Sequence, residues 1–292
     1  MKSPKFGLLV VLAVALLPTP STSLAFDFKN IDLNKLRDVG EKLKPLKKTS
    51  ENDEIELGKD VAANLLGAAP LVNDPALQDY VNKVGMWVAL HTERPNLPWH
   101  FGVMDTDTVN AFATPGGYVF ITRGMLLHLR DEAELAGVLA HEVSHVIARH
   151  ALNTMRKDAL AGLAGDALGE YAKDKGGAGY AKLVSASTEV YSRGLDKNDE
   201  FAADRMGVVI AARSGYDPYA LASVLQTLAS INPKDDSMAL MFKTHPDPTK
   251  RLELLMAAME GNVDQYADQP KVEDRFSQIM KAHVSYYSAH KK

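Results

Sequence analysis

The chain has no cysteine among its 292 residues. This absence excludes disulfide bonds and also lipid attachment at the cysteine of a lipobox. Hydrophobic residues make up 46% of the sequence, which is ordinary for a globular protein. A chain of this length can bury a core that holds its fold together without disulfide bonds, even after export.

Two further absences narrow the function. The formal net charge is −4 at pH 7, and there is no basic stripe with interleaved aromatic residues, so nothing indicates nucleic-acid binding. No internal repeat occurs at the periods that are typical of solenoid proteins. These features favour one globular enzyme domain with short terminal extensions.

The N-terminus has the features of a secretory signal peptide. Lys2 and Lys5 precede an apolar run at residues 6–17, and the stretch that ends at Ala25 fits the small-x-small cleavage rule. We predict a signal peptide at 1–25 that is cleaved after about Ala25. The apolar run is short for a membrane span, and an uncleaved anchor is the alternative.

A charged and irregular stretch at 26–50 is predicted to be a linker. Its lysines surround Pro45, and they favour a solvated segment, with peripheral contact to anionic lipid or to a partner as the alternative. These lysines are Lys42, Lys44, Lys47 and Lys48.

Hydrophobic periodicity predicts helices on both sides of a short strand region. Apolar residues recur at helical spacing from about 55 to 91, and helical patterns return after Asp131 and again in a C-terminal helical tail at 263–292. β-Branched and aromatic residues predict strands at 99–104 and 118–122. The sequence therefore predicts an α+β fold that is mainly helical, with a small β-sheet.

The sequence His-Glu-Val-Ser-His at 141–145 lies within a predicted helix. Asp131 is placed to cap this helix, and Glu134 completes a capping-box pattern. Two histidines four residues apart lie on adjacent turns of one face, where they can bind one metal ion. Glu142 projects from the flank of that face and can hold a water molecule, so the pattern is typical of a zinc peptidase.

A catalytic zinc site takes three protein ligands and leaves the fourth position to water. The best candidate for the third ligand is Glu200, which lies four residues before Asp204 in a predicted helix. Helical spacing puts both carboxylates on one face. Glu200 is therefore predicted to bind the metal, while Asp204 accepts the free ring N–H of a ligand histidine.

The remaining histidines lie in no metal-binding spacing. His150 follows His145 by five positions, so it is predicted to point well away from the paired face. We interpret the others as surface or ordinary core residues; they are His91, His100, His128, His283 and His290.

The stretch at 152–199 is rich in glycine and alanine and lies between the second and third predicted ligands. One hypothesis is that it forms a mobile lid over the cleft. The alternative is a pair of loose helices whose small residues pack against the core.

Three stretches together resemble a known family. They are 141–145 with Glu200 and Asp204, then 110–124, and finally 244–248 followed by Arg251. In this order they are similar to the HtpX/CAAX-prenyl-protease-type zinc metallopeptidases, which are gluzincins, over about 51–259. The chain is most similar to the soluble bacterial periplasmic members of that family. A membrane-embedded prenyl-protein protease is disfavoured, because no long apolar span follows the signal.

The resemblance implies a zincin-like metalloprotease with a small β-sheet beside the His-Glu-x-x-His helix, a metallopeptidase domain at 51–262, a periplasmic location and one Zn²⁺ ion per chain. It also implies that His245 stabilises the oxyanion and that Asn110 contacts the substrate, with ordinary turn chemistry before a strand as the alternative for Asn110. The strand region can offer a free edge to an extended peptide, and the glycines there let substrate backbone approach closely. The predicted edge comprises Gly117, Tyr118, Val119 and Phe120.

The predicted function is zinc-dependent cleavage of peptide bonds. The zinc polarises the scissile carbonyl, and Glu142 takes a proton from water and delivers it to the leaving amine. The resemblance implies unfolded or misassembled envelope proteins as substrates, in protein quality control. The alternative is a zinc-stabilised chaperone or assembly factor that binds such chains without routine cleavage. The sequence does not specify an oligomeric state.

Overall fold

A three-stranded sheet and a surrounding set of helices form the part of the chain that the computed structural model describes, namely residues 50–165, 193–232, 234–245 and 247–290. The predicted signal peptide at 1–25, nearly all of the linker at 26–50 and residues 166–192 of the predicted lid lie outside these ranges. The strands are β1 (His100–Met104), β2 (Ala111–Thr114) and β3 (Tyr118–Thr122). The helices are α1 (Glu51–Ala68), α2 (Pro75–Leu90), α3 (Arg123–Leu126), α4 (Glu132–Ile147), α5 (His150–Gly165), α6 (Lys197–Arg213), α7 (Ala220–Ser230), α8 (Ala239–Thr244), α9 (Pro248–Met259) and α10 (Glu273–His290), with 3₁₀ turns at Asp236–Met238 and Asp264–Tyr266.

The sheet has the order β1–β3–β2, with β1 parallel and β2 antiparallel to β3. The predicted strand at 118–122 is therefore the central strand, and the prediction that it offers a free edge near Gly117–Phe120 is wrong. The reason is a short third strand, β2, which sequence analysis did not separate from its surroundings. Gly116 and Gly117, with φ of 76° and 108°, form the turn that folds β2 back onto β3.

Helix α4 begins where the sequence predicts. Asp131 is the N-cap, and its carboxylate accepts a hydrogen bond of 2.8 Å from the backbone N–H of Glu134. The Glu134 side chain accepts from the backbone N–H of Arg130, the residue before the N-cap, rather than from that of Asp131. The second hydrogen bond of the predicted capping box is therefore shifted by one residue. Nearly every residue of α4 is buried, because α2, β2, α6 and α7 all pack against it.

Helices α4 and α6 approach closely at Gly207. A Cβ atom at this position would lie 3.1 Å from the backbone nitrogen of His141, which is tighter than nearly all packed Cβ contacts. The absence of a side chain lets the two helices come together one helical turn away from Asp204. This contact brings the face that carries Glu200 and Asp204 against the His141–His145 face.

The fold class is confirmed: the structure is α+β, mainly helical, with a small sheet beside the helix that carries His141 and His145. The predicted C-terminal helix is α10, which is anchored to the start of α2 by a 2.9 Å contact between His283 Nδ1 and Asp74 Oδ2. Within the described ranges, no helix combines the length and apolarity that crossing a bilayer requires.

Candidate active site

His141 and His145 lie on successive turns of α4 and direct their Nε2 atoms to one point. These two nitrogens are 3.1 Å apart, and each residue is only 4% exposed. Two nitrogens bonded to a tetrahedral zinc ion at about 2.0–2.1 Å would lie about 3.3 Å apart. The pair is therefore already spaced as ligands of a single ion would be.

Glu200 meets this pair from α6. Its two carboxylate oxygens lie 3.6 Å from His141 Nε2 and 3.5 Å from His145 Nε2, with Arg251 Nη1 at 3.4 Å. Both oxygens are buried, and neither accepts a hydrogen bond from the described residues. An ionised carboxylate left in this way is costly unless a cation completes its coordination. The three predicted ligands therefore converge and fit a zinc ion.

Asp204 stands behind His141, one helical turn after Glu200. Its Oδ1 is 3.0 Å from His141 Nδ1, which is the contact expected of a carboxylate that orients a metal-binding imidazole. Arg251 of α9 binds the same carboxylate through Nε at 2.9 Å and Nη2 at 2.6 Å. Burial alone would raise the pKa of Asp204, but the Arg251 guanidinium holds that pKa well below its ordinary value.

The cluster attracts positive charge. Burial and Arg251 both oppose protonation of His141, yet its contacts with Asp204 and Glu200 raise the His141 pKa to about 9. Without a metal, the carboxylates would thus hold a proton where the ligand atoms converge. A divalent cation at this position would neutralise the carboxylates more completely than a proton does.

Glu142 and His245 flank the metal-binding atoms. His245 Nε2 is 3.6 Å from Glu142 Oε1, and the ligand atoms of His141, His145, Glu200 and His245 all lie within 4.8 Å of one another. Burial raises the pKa of Glu142 to about 7 and lowers the pKa of His245 to about 4. A carboxylate with a pKa near neutrality is suited to accept and return a proton.

His245 is held in place at the end of α8. It follows the last residue of α8, and its Nδ1 lies 3.0 Å from Thr244 Oγ1. The next helix, α9, begins at Pro248 with Asp247 as its N-cap, and the Asp247 side chain accepts from Lys250 N at 3.0 Å. His245 is close enough to be either the predicted oxyanion donor or a fourth metal ligand.

A small cavity of about 30 Å³ opens beside these groups, which is room for about one or two water molecules. One wall is formed by β2 and another by α4. The residues that line the cavity are Ala111, Phe112, Ala113, Glu142, His145, Ala151, Gly194, Leu195, Thr244 and His245. Gly194 and Leu195 belong to the predicted lid region, but its residues 166–192 lie outside the described ranges, so the lid stays a prediction.

The predicted substrate-binding residues lie elsewhere. Asn110 is fully buried, and its amide N–H donates to Thr244 Oγ1 at 3.2 Å, while its oxygen accepts from Ala111 N at 2.9 Å. Asn110 therefore braces the turn before His245, and nothing in its contacts supports a substrate contact. The second predicted set does not line the cavity, because β3 is central and its side chains pack into the core; the set is Gly117, Tyr118, Val119 and Phe120.

His150 corrects a prediction. We expected it to point away from the paired face, but its Nδ1 lies 2.9 Å from His145 Nδ1, and the residue is 8% exposed. The expectation assumed one continuous helix. Instead α4 ends at Ile147, Arg149 takes a left-handed conformation with φ of 57°, and α5 begins at His150. The change in chain direction at Arg149 places the His150 side chain beside the metal-binding residues.

Comparison with known proteins agrees with this geometry. Residues 75–259, more than half of the chain, match the family described as Peptidase family M48. The chain belongs to peptidase family M48. The resemblance seen in the sequence is thereby confirmed, and at the level of the family so is the prediction of a metalloendopeptidase.

Two groups of relatives are similar to the chain. The beta-barrel assembly-enhancing protease of Escherichia coli (strain K12) is 32% identical over 209 residues, which are 70% of this chain and 43% of the relative. The mitochondrial metalloendopeptidase OMA1 of Arabidopsis thaliana is 29% identical over 163 residues, which are 56% of this chain and 32% of the relative. The chain thus spans less than half the length of these relatives.

Sequence reasoning missed two site residues, Arg251 and His150. Arg251 was noted only as part of a motif, and its pairing with Asp204 joins residues 47 positions apart, which no local pattern reveals. His150 could have been found only by recognising that the helix breaks at Arg149. Neither glycine nor proline marks that break.

Proposed function

We propose that this chain is a zinc-dependent endopeptidase in which His141, His145 and Glu200 bind the metal and Glu142 is the general base. The observation that carries the proposal is the buried Glu200 carboxylate, which accepts no hydrogen bond from the described residues and faces two Nε2 atoms 3.1 Å apart. A structural polar cluster would have satisfied those oxygens within the protein. A carboxylate that two imidazoles face in this way is suited to share a cation with them.

The chemistry follows from the positions of the side chains. A zinc ion in this set would act as a Lewis acid and lower the pKa of a bound water molecule toward 7. Glu142, with its pKa raised by burial, accepts a proton from the attacking water and returns it to the leaving amine. His245, neutral at pH 7, donates from Nε2 to the oxyanion that forms on the scissile carbonyl.

This assignment keeps His245 outside the metal coordination, because a catalytic zinc needs one position open to water. The side chain of His245 is 11% exposed, compared with 5% or less for the three proposed ligands. Its greater exposure is consistent with a group that faces the substrate side of the site.

The substrate path follows from the cavity. A peptide bond that reaches Glu142 has β2 as its neighbouring wall, so we propose that the substrate lies extended along β2, beside Ala111 and Phe112. Main-chain recognition of an extended peptide tolerates many side-chain sequences. This property suits an enzyme that cleaves unfolded or misassembled chains.

We propose that these chains are envelope proteins and that cleavage serves protein quality control in the periplasm. Support comes from the predicted signal at 1–25 and from the relatives, whose names include a beta-barrel assembly-enhancing protease. We also propose that the lysines of the linker bind anionic lipid and keep the enzyme near the membrane.

Metal analysis of the purified protein together with a casein digestion assay tests the function. We expect one zinc ion per chain, cleavage of casein, and loss of cleavage on chelation that zinc restores. Bound zinc without any cleavage, combined with suppressed aggregation of an unfolded protein, would favour the zinc-stabilised chaperone instead. A protein that binds no zinc would overturn both.

A further inference from the structure

The two proposed histidine ligands are supported by different partners. Behind His141 stands the Asp204 carboxylate, at 3.0 Å from Nδ1. Behind His145 stands a second imidazole, that of His150, with its Nδ1 2.9 Å from His145 Nδ1 and its ring plane at 74° to that of His145. Carboxylates, carbonyl oxygens and water are the usual partners of metal-binding histidines. An imidazole in this position therefore requires its own explanation.

The protonation states of the two rings follow from which nitrogen faces the metal. His145 Nε2 lies 3.1 Å from His141 Nε2 and 3.5 Å from Glu200 Oε1, so it is the metal-binding atom and carries no proton. The proton of the neutral His145 ring is then on Nδ1. A hydrogen bond of 2.9 Å to His150 requires that His150 Nδ1 accept it, which leaves the His150 proton on Nε2.

The far side of His150 agrees with this assignment. His150 Nε2 lies 3.6 Å from the Oδ1 atom of Asp199, the residue before Glu200 on α6. An N–H group directed toward a carboxylate is the favourable arrangement, whereas a bare nitrogen there would be repelled by the negative charge. The order Asp199, His150, His145 thus has a consistent set of donors and acceptors.

The backbone holds His150 in this position. Arg149 adopts its left-handed conformation immediately before His150, and its guanidinium Nε lies 2.9 Å from Oε2 of the buried Glu54. A non-glycine residue in that region is unfavourable and persists only where the surroundings hold it. The Arg149–Glu54 ion pair therefore helps to fix the turn between α4 and α5.

We propose that His150 is a positioning residue that accepts a hydrogen bond from His145 and so keeps Nε2 of His145 free and directed at the metal. This inference rests on the proposed zinc site. A neutral acceptor also avoids adding a further negative charge to a pocket that already contains the carboxylates of Glu142, Glu200 and Asp204.

The test compares two variants of His150 in the zinc-loaded protein. His150→Asn keeps an acceptor near the position of Nδ1, whereas His150→Leu has a similar size and no acceptor. The zinc dissociation constant is measured by competition with a chelator, and the cobalt-substituted protein is examined by absorption spectroscopy. Because partners of this kind typically change metal affinity by about 10–100-fold, we expect His150→Leu to weaken zinc binding by that factor and to shift the cobalt bands, and His150→Asn to restore most of both.

The matched control is His283, which is also buried but pairs with Asp74, outside the metal-binding cluster. We expect His283→Leu to lower thermal stability and to leave the zinc dissociation constant unchanged. Equal loss of zinc affinity in His150→Leu and His150→Asn, or unchanged affinity in both, would overturn the inference. If the wild-type protein binds no zinc, the proposed function fails first and separately.

Nitrogen-15 spectra of the zinc-loaded wild-type protein test the inference without any substitution, so the result does not depend on whether a variant folds. We expect His150 to be neutral and protonated on Nε2, and His145 to be protonated on Nδ1. A His150 ring protonated on Nδ1 would contradict the proposed direction of the hydrogen bond.

Discussion

A buried carboxylate lies at each end of helix α4, and the two carboxylates differ in the hydrogen bonds that they accept. At the N-terminal end, Glu132 is fully buried and accepts hydrogen bonds from Tyr80 at 2.8 Å, from Tyr216 at 2.7 Å and from Arg275. Near the C-terminal end, the carboxylate of Glu200 is equally buried and accepts none from the described residues. A carboxylate whose oxygens accept hydrogen bonds from the protein holds the fold together, whereas one left with only ion-pair contacts at 3.4–3.6 Å is suited to a ligand.

The same contrast explains how the helix serves two purposes. The Glu132 cluster joins α2, α4, α10 and the loop after α6, so it fixes the start of the helix in the core. The metal-binding cluster joins α4, α6, α9 and the residue after α8. A helix anchored at one end presents its other end with little freedom, which suits a site that must hold ligand atoms to within tenths of an ångström.

Glu142→Gln should have the largest effect. The substitution keeps the size of the side chain and removes the base, so we expect kcat/KM for casein-derived peptides to fall by about 10²–10⁴-fold. Zinc content should remain at the wild-type value, because Glu142 is not among the proposed ligands. Normal cleavage by this variant would show that another group is the base.

Exchange of each buried carboxylate for its amide tests the comparison itself. Glu132→Gln should lower the free energy of unfolding by about 2–3 kcal/mol, since it breaks a buried charged network while one partner, Arg275, remains largely solvated. Zinc affinity should change little. Glu200→Gln should do the reverse, with a large loss of zinc affinity and little loss of stability in the metal-free protein. Chemical unfolding measures the stability of each variant, and chelator competition measures its zinc affinity. If both variants lost stability and zinc affinity to the same extent, the contrast between the two carboxylates would be wrong.

Gly207→Ala should have a smaller effect on the same site. A methyl group 3.1 Å from the His141 backbone pushes α4 and α6 apart, and overpacking of this kind costs about 1–3 kcal/mol. We expect zinc affinity to fall several-fold together with thermal stability. Gly67→Ala is the control, because nothing lies within 4 Å of a Cβ atom at that helical position, and it should leave zinc affinity intact.

The smallest effect concerns pH. Burial alone would raise the pKa of Glu132, but hydrogen bonds from Arg275, Tyr216 and Tyr80 outweigh burial and lower that pKa. A lowered pKa means that the stabilisation is fully present above the unfolded-state pKa of about 4.3 and is lost as the pH falls through the folded-state value. The stability gap between the wild-type protein and Glu132→Gln should therefore narrow below about pH 4. A gap that widens there would contradict the sign of the shift.

The sequence predicts the parts of the site that depend on local periodicity. His141 and His145 share a face because they are four apart on α4, and Glu200 and Asp204 share a face of α6 for the same reason. That the two faces meet was inferred from the need of a catalytic zinc for a third ligand and was strengthened by the resemblance to a family. The close approach itself depends on Gly207 against His141, which no spacing rule reveals.

The features that sequence analysis missed arise from long-range contacts or from an unmarked backbone turn. The strand β2 contains Ala111 and Ala113, which have weak strand preference, so its pairing with β3 gave no signal and the free edge was assigned to the wrong strand. Glu132 was not singled out, because its partner Arg275 is 143 residues away. His150 was misplaced because Arg149 takes a left-handed conformation that its residue type does not predict.

The measurement that tests the central claim most directly is an anomalous difference map at the zinc edge, from crystals of the zinc-loaded protein. The account predicts one peak per chain, at about 2.0–2.2 Å from Nε2 of His141, Nε2 of His145 and a carboxylate oxygen of Glu200. A peak bound elsewhere, or a Glu200 carboxylate that stays out of bonding distance of the ion, would contradict it.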